Sequence, residues 1–331
     1  MRPILRPRRL IAVLRQATTA TLTLLLASTA AAALPAYDPP VPLLRGGFAG
    51  TAPWDINNVG TIVGESDGVG FVYAGGVFTS VLHPLGSSAT QLNGIADDGL
   101  LAGTYFFNDG GATRTAGFLL AGGSFETLVV PGATSTALRD LSPNGRYVSG
   151  TWVAAGGSTQ GFVLDRLTGV RTDVPADASG LPSIVQGVND AGLAVGSFLR
   201  AVPGGAPQQG AFTLDLATGV RTEYLSAAGL ERPRFRGVNA DGLVTGFGGP
   251  GANTAFVGNP VTGEWTVLRS VPAGTNSFAY GINDAGAVVG YDATTGSLAY
   301  RGWVATPVPE PATWALWGLG LAALGAATLR R

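Results

Sequence analysis

An all-β repeat fold, with six four-stranded units set like the blades of a β-propeller, is what this 331-residue chain predicts. Three observations lead there. One pattern recurs six times. Each copy holds the makings of four short strands. Glycine is unusually abundant, with 51 residues interleaved with valine, leucine, threonine and phenylalanine. That is the composition of short strands joined by tight turns.

The core of each copy is a strand, an Asn/Asp-rich turn and a second strand. Asp55-Ile56-Asn57-Asn58-Val59-Gly60 opens the first, and Gly187-Val188-Asn189-Asp190-Ala191-Gly192 shows the pattern most fully. The turn glycines Gly60, Gly99, Gly145, Gly192, Gly242 and Gly286 stand 39, 46, 47, 50 and 44 residues apart. Asn and Asp tolerate left-handed backbone and bond their own main chain, and Gly enters positive φ without steric cost, so the turn specifies a hairpin. A second glycine follows four residues on in five of the six copies, where strands crowd or bend. Next comes a small residue before an aromatic: Gly70-Phe71, Gly117-Phe118, Gly161-Phe162, Ala211-Phe212, Ala255-Phe256 and Ala299-Tyr300. The recurring phenylalanines are expected between neighbouring sheets. A tight turn such as Leu167-Thr168-Gly169 leads to a last strand. A period near 45 residues with four strands per unit is the signature of a propeller blade. The sixth copy lacks its last strand, and residues 42–52 are expected to supply it beside 299–304.

The pattern Ile/Val-Asn-Asp-x-Gly-x-Val-Val-Gly followed by Ala/Gly-Phe resembles the HAF repeat of exported bacterial proteins, over about residues 54–304. The resemblance implies fold and location more than activity. The histidine that names the repeat is absent, as Gln160-Gly161-Phe162, Gly210-Ala211-Phe212 and Thr254-Ala255-Phe256 show.

The ends carry addresses. Arg2, Arg6, Arg8, Arg9 and Arg15 precede an uncharged stretch that closes on Ala31-Ala32-Ala33, so residues 1–33 read as a secretory signal peptide. Residues 34–306 form the repeat domain and 307–331 a tail. In the tail, Val308-Pro309-Glu310-Pro311 is followed by an apolar run over 312–329 and by Arg330-Arg331. Eighteen helical residues span roughly 27 Å, about the thickness of bilayer hydrocarbon. Trp314 and Trp317 suit the membrane interface, and Arg330 and Arg331 read as a cytoplasmic stop. This tail resembles the PEP-CTERM sorting signal. The resemblance implies an exosortase-like membrane protease as partner, transient anchoring in the inner membrane, and delivery to the cell surface or extracellular matrix.

Composition closes off other chemistries. Cysteine is absent, so no disulfide staples the body. Between the signal peptide and the terminal pair lie 13 arginines against 21 acidic residues, a net charge of -8 that excludes a nucleic-acid footprint. One histidine, His83, and no cysteine leave no His- or Cys-based metal site, and His83 reads as a loop residue. Gly64-Glu65-Ser66-Asp67-Gly68 matches a nucleophile motif but stands at a hairpin rather than between strand and helix. Asp97, Asp98, Asp190, Asp241 and Asp284 lack the spacing of a calcium loop, and turn formation accounts for them. No cofactor or metal is expected. The candidate ligand residues are aromatics at the start of the longest connections, Tyr105, Trp152 and Phe198. The expectation is a non-catalytic matrix protein with an extracellular polysaccharide partner. Its rivals are a glycan-active enzyme, which needs converging carboxylates in the central funnel, and a protein-binding scaffold.

Overall fold

The computed structural model describes residues 34–268, 274–294 and 299–308. The expected signal peptide, the span 312–329, and Pro309, Glu310, Pro311, Arg330 and Arg331 lie outside the described residues. Among those described, the chain is all-β and β-propeller-like. No described helix is long and apolar enough to cross a membrane.

Among the described residues the strands run as successive four-stranded meanders, the third and fourth of them joined in one eight-stranded sheet. The first runs Ala52–Ile56, Ile62–Ser66, Val69–Ala74 and Val77–Val81, paired in that order. The following four units repeat the plan, and their inner strands are Ala89–Ile95, Ser135–Leu141, Ser183–Val188 and Arg234–Val238. The third and fourth units are joined by a single parallel bridge, Gln160 to Ser183. The last unit has inner strand Thr275–Ile282, then Val288–Thr294 and Tyr300–Ala305. Its outer strand comes from the other end of the domain. Val41–Leu43 pairs antiparallel with Tyr300–Ala305, Val41 facing Val304 and Leu43 facing Gly302. The expected donor segment is therefore used, although its paired part is short and residues 44–51 lead on to the first inner strand. The ladder also continues outward: Tyr37 bridges Pro307, and the Val308 amide donates to the Ala36 carbonyl at 2.7 Å.

Apolar clusters fill the space between successive sheets. Phe71, Phe118, Phe162, Phe212 and Phe256 are all fully buried, as the pattern requires. The sixth aromatic is Trp303, not Tyr300. Trp303 pairs with Gly290 in the register that sets Phe71 on Gly64 and Phe118 on Gly103. The second glycine of each copy now has a cause. A β-carbon on Gly64, Gly103, Gly150, Gly196, Gly246 or Gly290 would come within 3.0 Å of the aromatic ring on the neighbouring strand.

Overpacking at such a site costs about 1–3 kcal/mol. Gly196→Ala is expected to lose stability of that order in urea unfolding. Gly156→Ala, in open space at ordinary φ, should change it by less than about 0.5 kcal/mol. Equal midpoints for the two variants would sink this account of the motif.

Candidate functional site: the axial channel

Each inner strand carries one β-bulge. Register slips between Pro53 and Asp55, Leu92 and Gly94, Leu138 and Asp140, and Val185 and Gly187. It slips again between Phe235 and Val238 and between Ala279 and Ile282. A bulge re-aims a side chain. The bulged residues Trp54, Asn93, Arg139, Gln186, Arg236 and Tyr280 all line one narrow, partly open chamber among the inner strands.

The position after each of these is Gly94, Gly187, Gly237 or Gly281 in four units and an acid, Asp55 or Asp140, in the other two. The glycines are forced. A β-carbon on any of them would come within about 3 Å of the next unit's backbone. The acids meet the neighbour differently. Asp55 accepts hydrogen bonds from the amides of Ile56 (2.8 Å) and of Ile95 in the second unit (2.9 Å). Asp140 accepts from Val188 in the fourth unit at 2.9 Å. Gly94, in the unit between those of the two acids, has no side chain to separate them, and their carboxyls hydrogen-bond to each other. Such a contact requires a proton on one partner. Burial raises both groups, Asp55 to about 7 and Asp140 well above the usual carboxylate range, and their contact lowers Asp55 while raising Asp140, which suits Asp140 as the proton-bearing partner. With Gly237 the pair also lines a second cavity toward the Asn/Asp turns, so it stands as a partition between two chambers.

Those turns form a belt. The Asn57 amide donates to the Ala96 carbonyl, Asn189 to that of Asn239, Asn239 to that of Asn283, and Asn283 to that of Asn57. The oxygen of each asparagine caps its own turn, at the amides of Thr61, Leu193, Leu243 and Ala287. Where the second and third copies have Ala96 and Ser142, the Asp97 amide bonds the Pro143 carbonyl and the Asn144 amide bonds the Asp190 carboxylate.

On the other side of the acid pair the chamber is aromatic and cationic. Trp54 meets Tyr280 edge-on at 4.8 Å, and Tyr280 stacks on Tyr291 at 5.5 Å. The Arg236 guanidinium lies over Tyr280 (4.7 Å) and Phe247 (5.0 Å). Arg139 is pushed down to about 10, first by burial and then by repulsion from Arg236.

The structure places the sequence-derived ligand residues elsewhere. Tyr105 (6% exposed) and Phe198 (3% exposed) are core side chains, so neither offers a face to solvent. Trp152 is half-buried against the cluster between the second and third units, with Arg171 5.7 Å from its ring centre. All three stand two residues beyond the second glycine of their copies, an inter-sheet position. His83 lies in the connection between Val77–Val81 and Ala89–Ile95, as expected of a loop residue, and is buried there. It stacks on Tyr105 at 3.8 Å beside Phe118 and Phe125. Ser66 ends a strand that turns into the hairpin to Val69–Ala74, as the sequence suggests. The bulged residues were missed because they share no chemistry. The available signal was their fixed place, one residue before Gly or Asp in every copy.

Residues 307–331 match the family model described as the PEP-CTERM protein-sorting motif. The motif marks an exported protein recognised by an exosortase and anchored transiently in a membrane before processing. No curated protein matches the chain. Among solved structures, a protein of unknown function from Dyadobacter fermentans is 13% identical with a TM-score of 0.52, over 82% of this chain and 99% of that one. TolB from Acinetobacter baumannii is 16% identical with a TM-score of 0.45, over 80% of this chain and 65% of that one. The putative TolB from Agrobacterium tumefaciens is 16% identical with a TM-score of 0.48, over 69% and 80%. The Dyadobacter likeness is one of fold alone.

The acid pair sets a pH dependence. Both carboxyls hold protons more tightly folded than unfolded, so their contribution is complete below the unfolded value, about 4, and is lost as pH rises through the folded values. Asp55 titrates at about 7, with Asp97 adding repulsion. Asp140→Asn keeps a donor toward Asp55 without a proton to lose. The urea midpoint of the wild type is expected to fall between pH 5 and 8, by up to about 1.4 kcal/mol per pH unit for each group, and that of Asp140→Asn to fall less. Parallel profiles would refute the shared proton.

Proposed function

We propose that this chain is a non-catalytic matrix protein: six HAF-type repeats closed into a six-bladed β-propeller, secreted by the signal peptide at 1–33 and sorted by the tail through a membrane span at 312–329. It acts at the cell surface or in the extracellular matrix, bound to exopolysaccharide. The observation that carries the reading is the sorting motif at 307–331 on a β-propeller-like domain. Closure is supported by the outer strand Val41–Leu43 and by the Asn283 to Asn57 hydrogen bond between the last unit and the first.

The channel does hold a converging acid pair, which a glycan-cleaving enzyme would need. Its geometry argues against that use. Glycosidase carboxyls stand roughly 5–5.5 or 6.5–9.5 Å apart to flank a glycosidic bond. Asp55 and Asp140 instead touch each other, and both are tied to backbone amides. No room is left between them for a sugar–oxygen bond.

Affinity electrophoresis through gels cast with the host's exopolysaccharide tests the matrix role. Retardation of the purified protein, absent in gels of a neutral glucan, is the expected result. Unchanged mobility would remove polysaccharide as the partner and leave the protein-binding alternative, to be followed by a pull-down of surface proteins.

A further inference from the structure

Three N–H donors on one cavity have no acceptor. Trp54 Nε1, Arg139 Nε and Arg236 Nε are closed off from solvent with no hydrogen-bond partner among the described residues. All three side chains line the chamber on the aromatic side of the acid pair. A buried donor left unpaired costs about 1–3 kcal/mol, and native structures hold few of them. Their concentration here marks the place of a missing acceptor. Asn93, on the same wall, spends its Nδ2 on Thr104 Oγ1 and the Leu138 carbonyl, and its own Oδ1 is unpaired.

Charge narrows the identity of that acceptor. Arg139 and Arg236 repel each other, and neither forms an ion pair among the described residues. The two acids on the same chamber are tied to backbone amides, and neither lies within ion-pair distance of either arginine. A water molecule could accept from one or two of the donors but would leave the excess positive charge in place. An anion answers both needs. Guanidinium groups present planar forks that match a carboxylate. The chamber is narrow, so what enters must be a small head group, with the rest of its molecule held outside. Beside it Trp54, Phe278 and Tyr300 are only partly buried, packed against the buried rings of Tyr280, Tyr291 and Phe247. Apolar faces next to a charged pocket suit the C–H face of a pyranose.

We propose that the arginine chamber binds the carboxylate of an acidic sugar residue. This deepens the matrix reading above and rests on it for the source of the sugar. The carboxylate sits between Arg139 and Arg236 and accepts from the Trp54 indole, while the ring packs on the aromatic cluster. A free small carboxylic acid shares the head-group chemistry and is the alternative source.

Calorimetric titration of the full chain in detergent with glucuronate, acetate and glucose tests this. Saturable binding of glucuronate, with glucose and acetate each at least tenfold weaker, is expected. Arg236→Gln should weaken glucuronate at least tenfold at an unchanged melting temperature, and Arg139→Gln serves if that variant does not fold. Acetate binding as tightly as glucuronate would keep the carboxylate site and overturn the sugar as its source. Absence of binding by both acids, or binding indifferent to both arginine variants, would overturn the site. The polysaccharide gel separates this from the matrix role. Retardation without glucuronate binding overturns the chamber alone; glucuronate binding without retardation sustains the chamber and removes the matrix role.

Discussion

Crowding at the axis is the constraint on which the rest of the structure depends. Each inner strand must approach the next closely, and the residue after each bulge points at that neighbour. Glycine solves the problem by having no side chain, as Gly187 and Gly237 do against the backbone of the following unit. Aspartate solves it by turning the contact into a hydrogen bond, as Asp55 does with the Ile95 amide and Asp140 with that of Val188. The two solutions are coupled. An acid in one unit can reach across only where the next unit has glycine, and Asp55 is followed in the next unit by Gly94, as Asp140 is by Gly187.

The belt of turns is a second consequence of the same approach. In four units an asparagine at the end of the inner strand has its oxygen committed to its own turn and its amide turned toward the neighbour. Left–handed tolerance alone would permit aspartate there. Only a side chain that accepts at one end and donates at the other can close the turn and tie it to the next one. The copies that lack the asparagine keep the tie through main-chain amides, which shows that the link matters more than the residue supplying it.

The sequence made the repeat, the strand count per copy, the inter-sheet phenylalanines and the source of the outer strand legible, because each follows from periodicity or turn chemistry. The sixth aromatic went astray because Tyr300 lies near the expected spacing, whereas register to Gly290 selects Trp303. The ligand aromatics went astray for a related reason. Tyr105, Trp152 and Phe198 look irregular beside the Gly-Phe pattern, yet they occupy one register position of their own, and burial follows from register rather than from rarity. The acid pair was legible only in outline. Asp55 and Asp140 interrupt a column of glycines, but nothing local says that two residues 85 positions apart meet.

Within a chain built of copies, what recurs is what the architecture needs. The turn asparagines, the two glycines and the buried aromatic ring recur because each unit must pack on the next. The bulge position faces the chamber in every unit, yet it holds Trp54, Asn93, Arg139, Gln186, Arg236 and Tyr280, five residue types in six copies. Between several neighbouring units the apolar clusters form without it. Two of the six are arginines that form no ion pair among the described residues, an arrangement that works against folding unless something offsets it. A position that the fold leaves free, turned inward by a bulge in every copy and filled with donors rather than hydrocarbon, is where a repeat scaffold can acquire a ligand without disturbing what holds it together.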